Sequence, residues 1–328
     1  MLIKFFKSSF LSQYLFIALA IVILWIPAFR QHNFLSSRED PSPLFGIFRA
    51  TGQLSGIFTG ITLLGCITIL TFLVNKIFTR NDLLPLSSTL SSFIFIVIVS
   101  SVAAFQVLSP VMMASVLLLF LLDSLLKIID EEEPYERVFN AGFVISLASM
   151  FYLPAIFFVA LLFITLLIAR ISAWREWFIA IAGMITPYLF LAAYYYWTDT
   201  LFQKILEYSA FFSHFKLLPL HFSWLQWIIL ILILVLTVRS MYHILSRLNV
   251  KTINTRKKWT VLVWFLLTAI PGFLYAGEWE NQHLLLLALP LSAFQSSFLS
   301  DIKKTLVPDL LLILLMLMIL LNNYGWSI

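Results

Sequence analysis

Apolar runs recur along the whole chain, with centres near residues 20, 65, 98, 120, 146, 162, 187, 233, 268, 291 and 315. Nearly all are long enough, or almost long enough, to cross about 30 Å of hydrocarbon as a helix. Short polar segments, many of them basic, separate the runs. The pattern predicts an all-α fold, a polytopic transmembrane helical bundle of about 11 spans. It reads as one integral membrane domain over residues 1–328.

Charge gives the runs a direction. With the N-terminus in the cytoplasm and each run crossing once, the inside loops hold Lys4, Lys7, Lys76, Arg80, Lys127, Arg137, Arg170, Arg175, Arg239, Arg247, Lys251, Arg256, Lys257, Lys258, Lys303 and Lys304. The outside loops hold only Arg30, Arg38, Arg49, Lys204 and Lys216. That bias is the one the positive-inside rule demands. The stretch Phe139–Ala169 decides the count. It reads as two short helices broken near Leu153-Pro154, or as one long span with a re-entrant piece. A single crossing there would move every later loop to the other side, and the basic loop 247–258 would land outside. The charge bias supports two.

Two external segments are long enough to build something, 30–54 and 198–223. In the first, Asp40-Pro41-Ser42-Pro43 is extended or a turn, because each proline biases the residue before it away from helix. A short surface helix is expected from Pro43, with Leu44, Phe45, Ile47 and Phe48 against lipid. In the second, Leu201, Phe202, Ile205, Leu206, Tyr208, Phe212 and Phe215 recur at helical spacing, opposite Lys204, Glu207 and His214. That is the pattern of an amphipathic helix in the membrane interface.

Composition agrees. At 61% hydrophobic and 11% charged, with mean hydropathy +0.98, the chain is not a soluble globular domain. The net charge of +5 does not point to nucleic acid, because the basic residues flank the runs, where anionic head groups lie. Cys66 is alone within an apolar run, a packing residue with no disulfide partner. Lys4 and Lys7 precede an apolar run without a small-x-small cleavage pattern, so it reads as a retained first span. Asp123 and Lys127 stand one turn apart and are expected to pair.

The ionisable residues that could carry chemistry lie on the expected outer face. Glu39 and Asp40 follow the first span, where a carboxylate can act as general base toward an incoming hydroxyl. Glu280 and His283, three apart in Gly277-Glu278-Trp279-Glu280-Asn281-Gln282-His283, would share a helical face. They offer two ligands for a divalent metal or an acid–base pair, and Asp40 or His214 could supply a third ligand. A solvated loop for the first group and a polar turn anchored by Trp279 for the second are the plainer accounts. Tyr194, Tyr195, Tyr196 and Trp197 read as an aromatic belt.

The layout of these two loops resembles the GT-C glycosyltransferase superfamily, polytopic enzymes that take sugars from polyprenyl-phosphate carriers. The segments NAGFVISLASMFYLPAIFFVALLF, from Asn140 to Phe163, and NQHLLLLALPLSAF, from Asn281 to Phe294, are similar to spans of those enzymes. The resemblance implies that Asp40 or Glu39 takes the acidic catalytic position. His283 falls where that superfamily has arginine, so Arg49 would meet the phosphate, with His214 and His283 as further substrate-binding candidates. The opening MLIKFFKSS and the central ISAWREWFIAIAGMITPYLFL more closely resemble an uncharacterised family of bacterial polytopic inner-membrane proteins, often labelled beta-carotene monooxygenases. That label does not fit, since a carotenoid oxygenase needs a β-propeller and four iron-binding histidines. The implied function is transfer of a sugar from a polyprenyl phosphate at the outer face of the inner membrane. Two rivals stand beside it: a non-catalytic subunit working with other envelope proteins, and a transporter or lipid flippase.

Overall fold

The computed structural model describes residues 2–8, 10–30, 42–46, 56–86, 88–171, 173–213, 222–275, 280–302 and 306–324. Among them the chain is helices joined by turns, with no strand. In chain order the helices are α1 (Leu2–Phe6), α2 (Leu11–Arg30), α3 (Gly56–Arg80), α4 (Leu90–Ser100), α5 (Pro110–Ile128), α6 (Tyr135–Phe151), α7 (Phe158–Ala169), α8 (Trp174–Trp197), α9 (Leu201–Ser213), α10 (Trp224–Ser246), α11 (Ile253–Leu274), α12 (Glu280–His283), α13 (Leu285–Asp301) and α14 (Leu306–Asn323).

A helix covers each apolar centre of the sequence. Among the described residues six helical stretches are long and apolar enough to cross a membrane: Phe58–Arg80, Pro110–Ile128, Trp174–Trp197, Trp224–Ser246, Asn281–Asp301 and Leu306–Asn323. On that ground the chain is a membrane protein. α4 differs. At 11 residues it is too short to span alone, and every one of its residues is buried. It is the central rod of the bundle, against which α2, α3 and α13 pack. Lipid-facing length is therefore not what its apolar run encodes. α8 and α14 lie at the periphery, exposing apolar rows such as Phe178, Ile181, Ile185 and Leu189.

Local chemistry sets the helix ends. Ser109 accepts from the Met112 backbone N–H at 3.2 Å, with Pro110 at the first helical position of α5. Ser223 and Gln226 form a capping box at the start of α10. Arg170 ends α7 in the left-handed region, its N–H closing onto Leu166 and Leu167 carbonyls. Asp82 and Asp199 turn the chain after α3 and α8 in the same conformation.

Polar contacts tie the helices together where hydrocarbon alone gives no preference. Ser91 donates to Asn75 Oδ1 at 2.5 Å, Ser92 to the Thr71 carbonyl at 2.6 Å, and Gln295 Nε2 to Thr237 Oγ1 at 2.8 Å. At the α6–α8 crossing the two backbones come very close. A Cβ on Gly142 would lie 2.4 Å from the Ala180 carbonyl oxygen, and one on Gly183 would lie 2.3 Å from that of Phe139. Only glycine at both positions permits backbones so near. Ser146 then donates to the Met184 carbonyl at 2.6 Å.

The described connections gather into two ends. At one, Lys7 Nζ donates to the Ile302 carbonyl, Thr89 N–H to that of Phe6, and Asn81 Nδ2 to Asp123. The same end holds the Asp123–Lys127 pair, as expected from the spacing. Lys258, 2% exposed, donates to the Asn81 carbonyl at 3.2 Å and to Asp130 at 2.6 Å. Asn254 Nδ2 reaches Asp130, and Lys257 Nζ reaches the Ala169 carbonyl at 3.4 Å. Asp130 precedes α6 and Ala169 ends α7. The stretch between them thus leaves this end and returns to it, a hairpin that breaks at Tyr152 and the 3-10 turn Leu153–Phe157. The described loops that the charge pattern groups on one side share this basic end. At the opposite end, Trp25 Nε1 donates to Ser100, Asn323 Nδ2 to the Ser100 carbonyl, and Ser223 to Asn322.

Candidate functional site

Of the candidates singled out in sequence, His283 is the one whose side chain is described, and it lies at the opposite end. The single helical turn Glu280–His283 drops its ring into the bundle, where it is 1% exposed. Nε2 lies 2.9 Å from the Ala269 carbonyl, which can only accept, so this nitrogen carries the hydrogen. Nδ1 is then the acceptor in the neutral ring, and the Tyr152 hydroxyl donates to it at 2.7 Å. Phe273 packs edge-on against the ring. Gly272 makes room: a Cβ there would stand 2.9 Å from His283 Cε1 and 3.3 Å from the Pro154 carbonyl oxygen. The break in the α6–α7 hairpin, the far end of α11 and the start of α13 are thereby pinned at one point. Both ring nitrogens are used in doing so. A metal or a proton transfer at His283 would have to displace one of these bonds.

An apolar groove of about 440 Å³ lies between α6 and α8. Phe143, Leu147 and Met150 of α6 form one wall, Pro187, Leu191, Tyr194 and Tyr195 of α8 the other, and Pro43 and Leu44 close the top. The α6 positions repeat every three or four residues, so one helical face supplies them. Residues 43–46 are helical, as the prolines predict. Phe45, expected against lipid, is instead buried at 1% exposure: the segment tucks into the bundle. α9 leaves α8 beyond the groove. Its Tyr208 hydroxyl lies 3.2 Å from that of Tyr195, and Lys204 pairs with Glu207 at 2.6 Å. Phe202, Ile205 and Leu206 are exposed on its other side, and Trp197 at the end of α8 is 88% exposed. An exposed apolar row above an aromatic cluster is what an interfacial helix presents.

Glu39, Asp40, Arg49 and His214 lie outside the described residues, as does the side chain of Glu280. Asp40 stands three positions before Pro43 in the groove's lid. Among the described residues no three of His, Cys, Asp and Glu are placed to hold a metal ion. Cys66 is buried, its Sγ 3.6 Å from Met113 Sδ, as a packing residue. Sequence reasoning missed Tyr152 and Gly272. The proline after Tyr152 marked the break, but nothing in spacing pairs residues 131 apart.

Residues 44–327 match a family of unknown function, DUF6427. The chain belongs to this family. No curated protein and no solved structure matches it.

Proposed function

We propose that this member of the DUF6427 family is a multi-pass protein of the bacterial inner membrane, with about eleven crossings and its basic end in the cytoplasm, that acts on a lipid-linked sugar at its outer face. The observation that carries the reading is the groove. It is apolar, two helical turns long on each wall, and capped by the segment that follows the Glu39-Asp40 pair. A polyprenyl chain lying there would bring its phosphate toward that loop. Asp40 or Glu39 would take the proton of an acceptor hydroxyl, whose oxygen attacks the anomeric carbon of the sugar. The bond from that carbon to the phosphate oxygen breaks, and Arg49 compensates the charge on the departing lipid phosphate. His214 and Glu280 belong to the same expected face and would orient the sugar.

A second reading has its own support. His283 is locked between Tyr152 and Ala269, which suits a structural latch in a non-catalytic envelope subunit. A transporter or flippase is less favoured, because most of the side chains that α4 buries at the centre of the described bundle are apolar.

One experiment separates the first two. In a deletion strain, Asp40→Asn combined with Glu39→Gln should abolish complementation while the protein still accumulates in the membrane. Leu147→Trp, which fills the groove, should do the same. Full complementation by both variants ends the enzymatic reading.

A further inference from the structure

The basic end holds a second cavity, of about 430 Å³, remote from the His283 latch. The turn after α3, with Asp82 and the exposed Leu86, forms one side, and Lys251, Ser297, Ser300 and Asp301 form the other. Two of these groups have unspent hydrogen-bonding capacity. The Lys251 ammonium lies 4.8 Å from the Trp259 ring centroid and makes no hydrogen bond among the described residues. The Ser300 hydroxyl is buried and has no partner among the described residues. Asp301 does not consume that ammonium, because it is already engaged by His243 Nε2 at 3.2 Å and Arg247 Nη1 at 3.5 Å. The lining itself holds Lys251 and two carboxylates, Asp82 and Asp301, and Arg247 and Lys7 act on Asp301 from outside the lining.

We propose that this cavity binds the phosphate group of an anionic ligand, with Lys251 and Ser300 as its donors. A half-buried ammonium with no ion pair or hydrogen bond of its own among the described residues is costly, and an anion in contact with it relieves that cost. Burial indeed pushes Lys251 below its ordinary pKa, with Asp301 opposing. The apolar rim at Leu86 suits a phosphate attached to a hydrocarbon, as in a phospholipid head group at the basic face. A soluble phosphate compound shares the same recognition chemistry.

The test uses the full chain in neutral detergent, with binding of phosphatidylglycerol and of inorganic phosphate measured separately. Lys251→Gln should weaken phosphatidylglycerol binding about fivefold, as expected for one lysine at a membrane surface. Lys251→Arg should restore it. Lys76→Gln, which removes an exposed charge at the end of α3, should change it by less than about twofold. Loss confined to the lipid identifies a head group, and parallel loss of inorganic phosphate binding identifies a soluble ligand. Ser300→Ala, which removes only a hydroxyl, should also weaken binding and keeps the test decisive if Lys251→Gln fails to fold. Equal loss in Lys251→Gln and Lys76→Gln, or no loss in Lys251→Gln and Ser300→Ala, overturns the proposal.

Discussion

Tyr152 and His283 illustrate how little a residue's type says about its task. In sequence, His283 is a polar group at a membrane surface and a candidate ligand. In the structure its ring is enclosed, and each nitrogen has one partner, the Tyr152 hydroxyl and the Ala269 carbonyl. Removing the tyrosine hydroxyl leaves a buried acceptor unsatisfied, a cost of about 1–3 kcal/mol. Tyr152→Phe should therefore lower the melting temperature of the purified protein, whereas Tyr194→Phe, at an exposed ring, should leave it unchanged. Equal melting of Tyr152→Phe and wild type would show that the latch contributes nothing to the fold. The histidine was legible as a residue of interest. Its partners were not, because a contact over 131 positions follows from helix packing and not from spacing.

At the scale of elements, hydrophobic period and turn chemistry carried far. Proline placed the break between α6 and α7, while the Ser-Pro cap of α5 and the Ser-x-x-Gln capping box of α10 came to light only in the structure. Length was less legible. The run that became α4 looked like a span, yet its 11 residues serve as a core rod, because a helix surrounded by other helices is as apolar as one surrounded by lipid. Packing between helices was hidden for the same reason. Gly142 and Gly183 are ordinary residues in sequence, and only the crossing of α6 and α8 makes them irreplaceable. Gly142→Leu should force that pair apart and destabilise the protein by about 3 kcal/mol or more. It should also distort the groove the two helices share. Gly65→Leu, where a side chain meets open space, is the control and should be tolerated. If both variants melt alike, the close crossing is not a determinant of stability.

The whole molecule is ordered by the alternation of its loops. Lys7, Asn81, Asp130, Ala169, Lys257 and Asp301 come from separate parts of the chain and meet at one end. His283, Tyr152, Ser100 and Asn323 meet at the other. The hairpin of α6 and α7 keeps this order intact, since it returns to the end it left. The functional proposal depends on that order, because it needs the groove, Asp40 and the α12 turn on the face away from the cytoplasm. Single cysteines placed in a Cys66→Ala background read this directly. With a membrane-impermeant maleimide added to intact cells, Asp199→Cys and Asn281→Cys should be labelled, while Glu132→Cys and Asn254→Cys should be labelled only after the membrane is opened. Labelling of Glu132→Cys or Asn254→Cys from outside, with Asn281→Cys protected, would contradict the account.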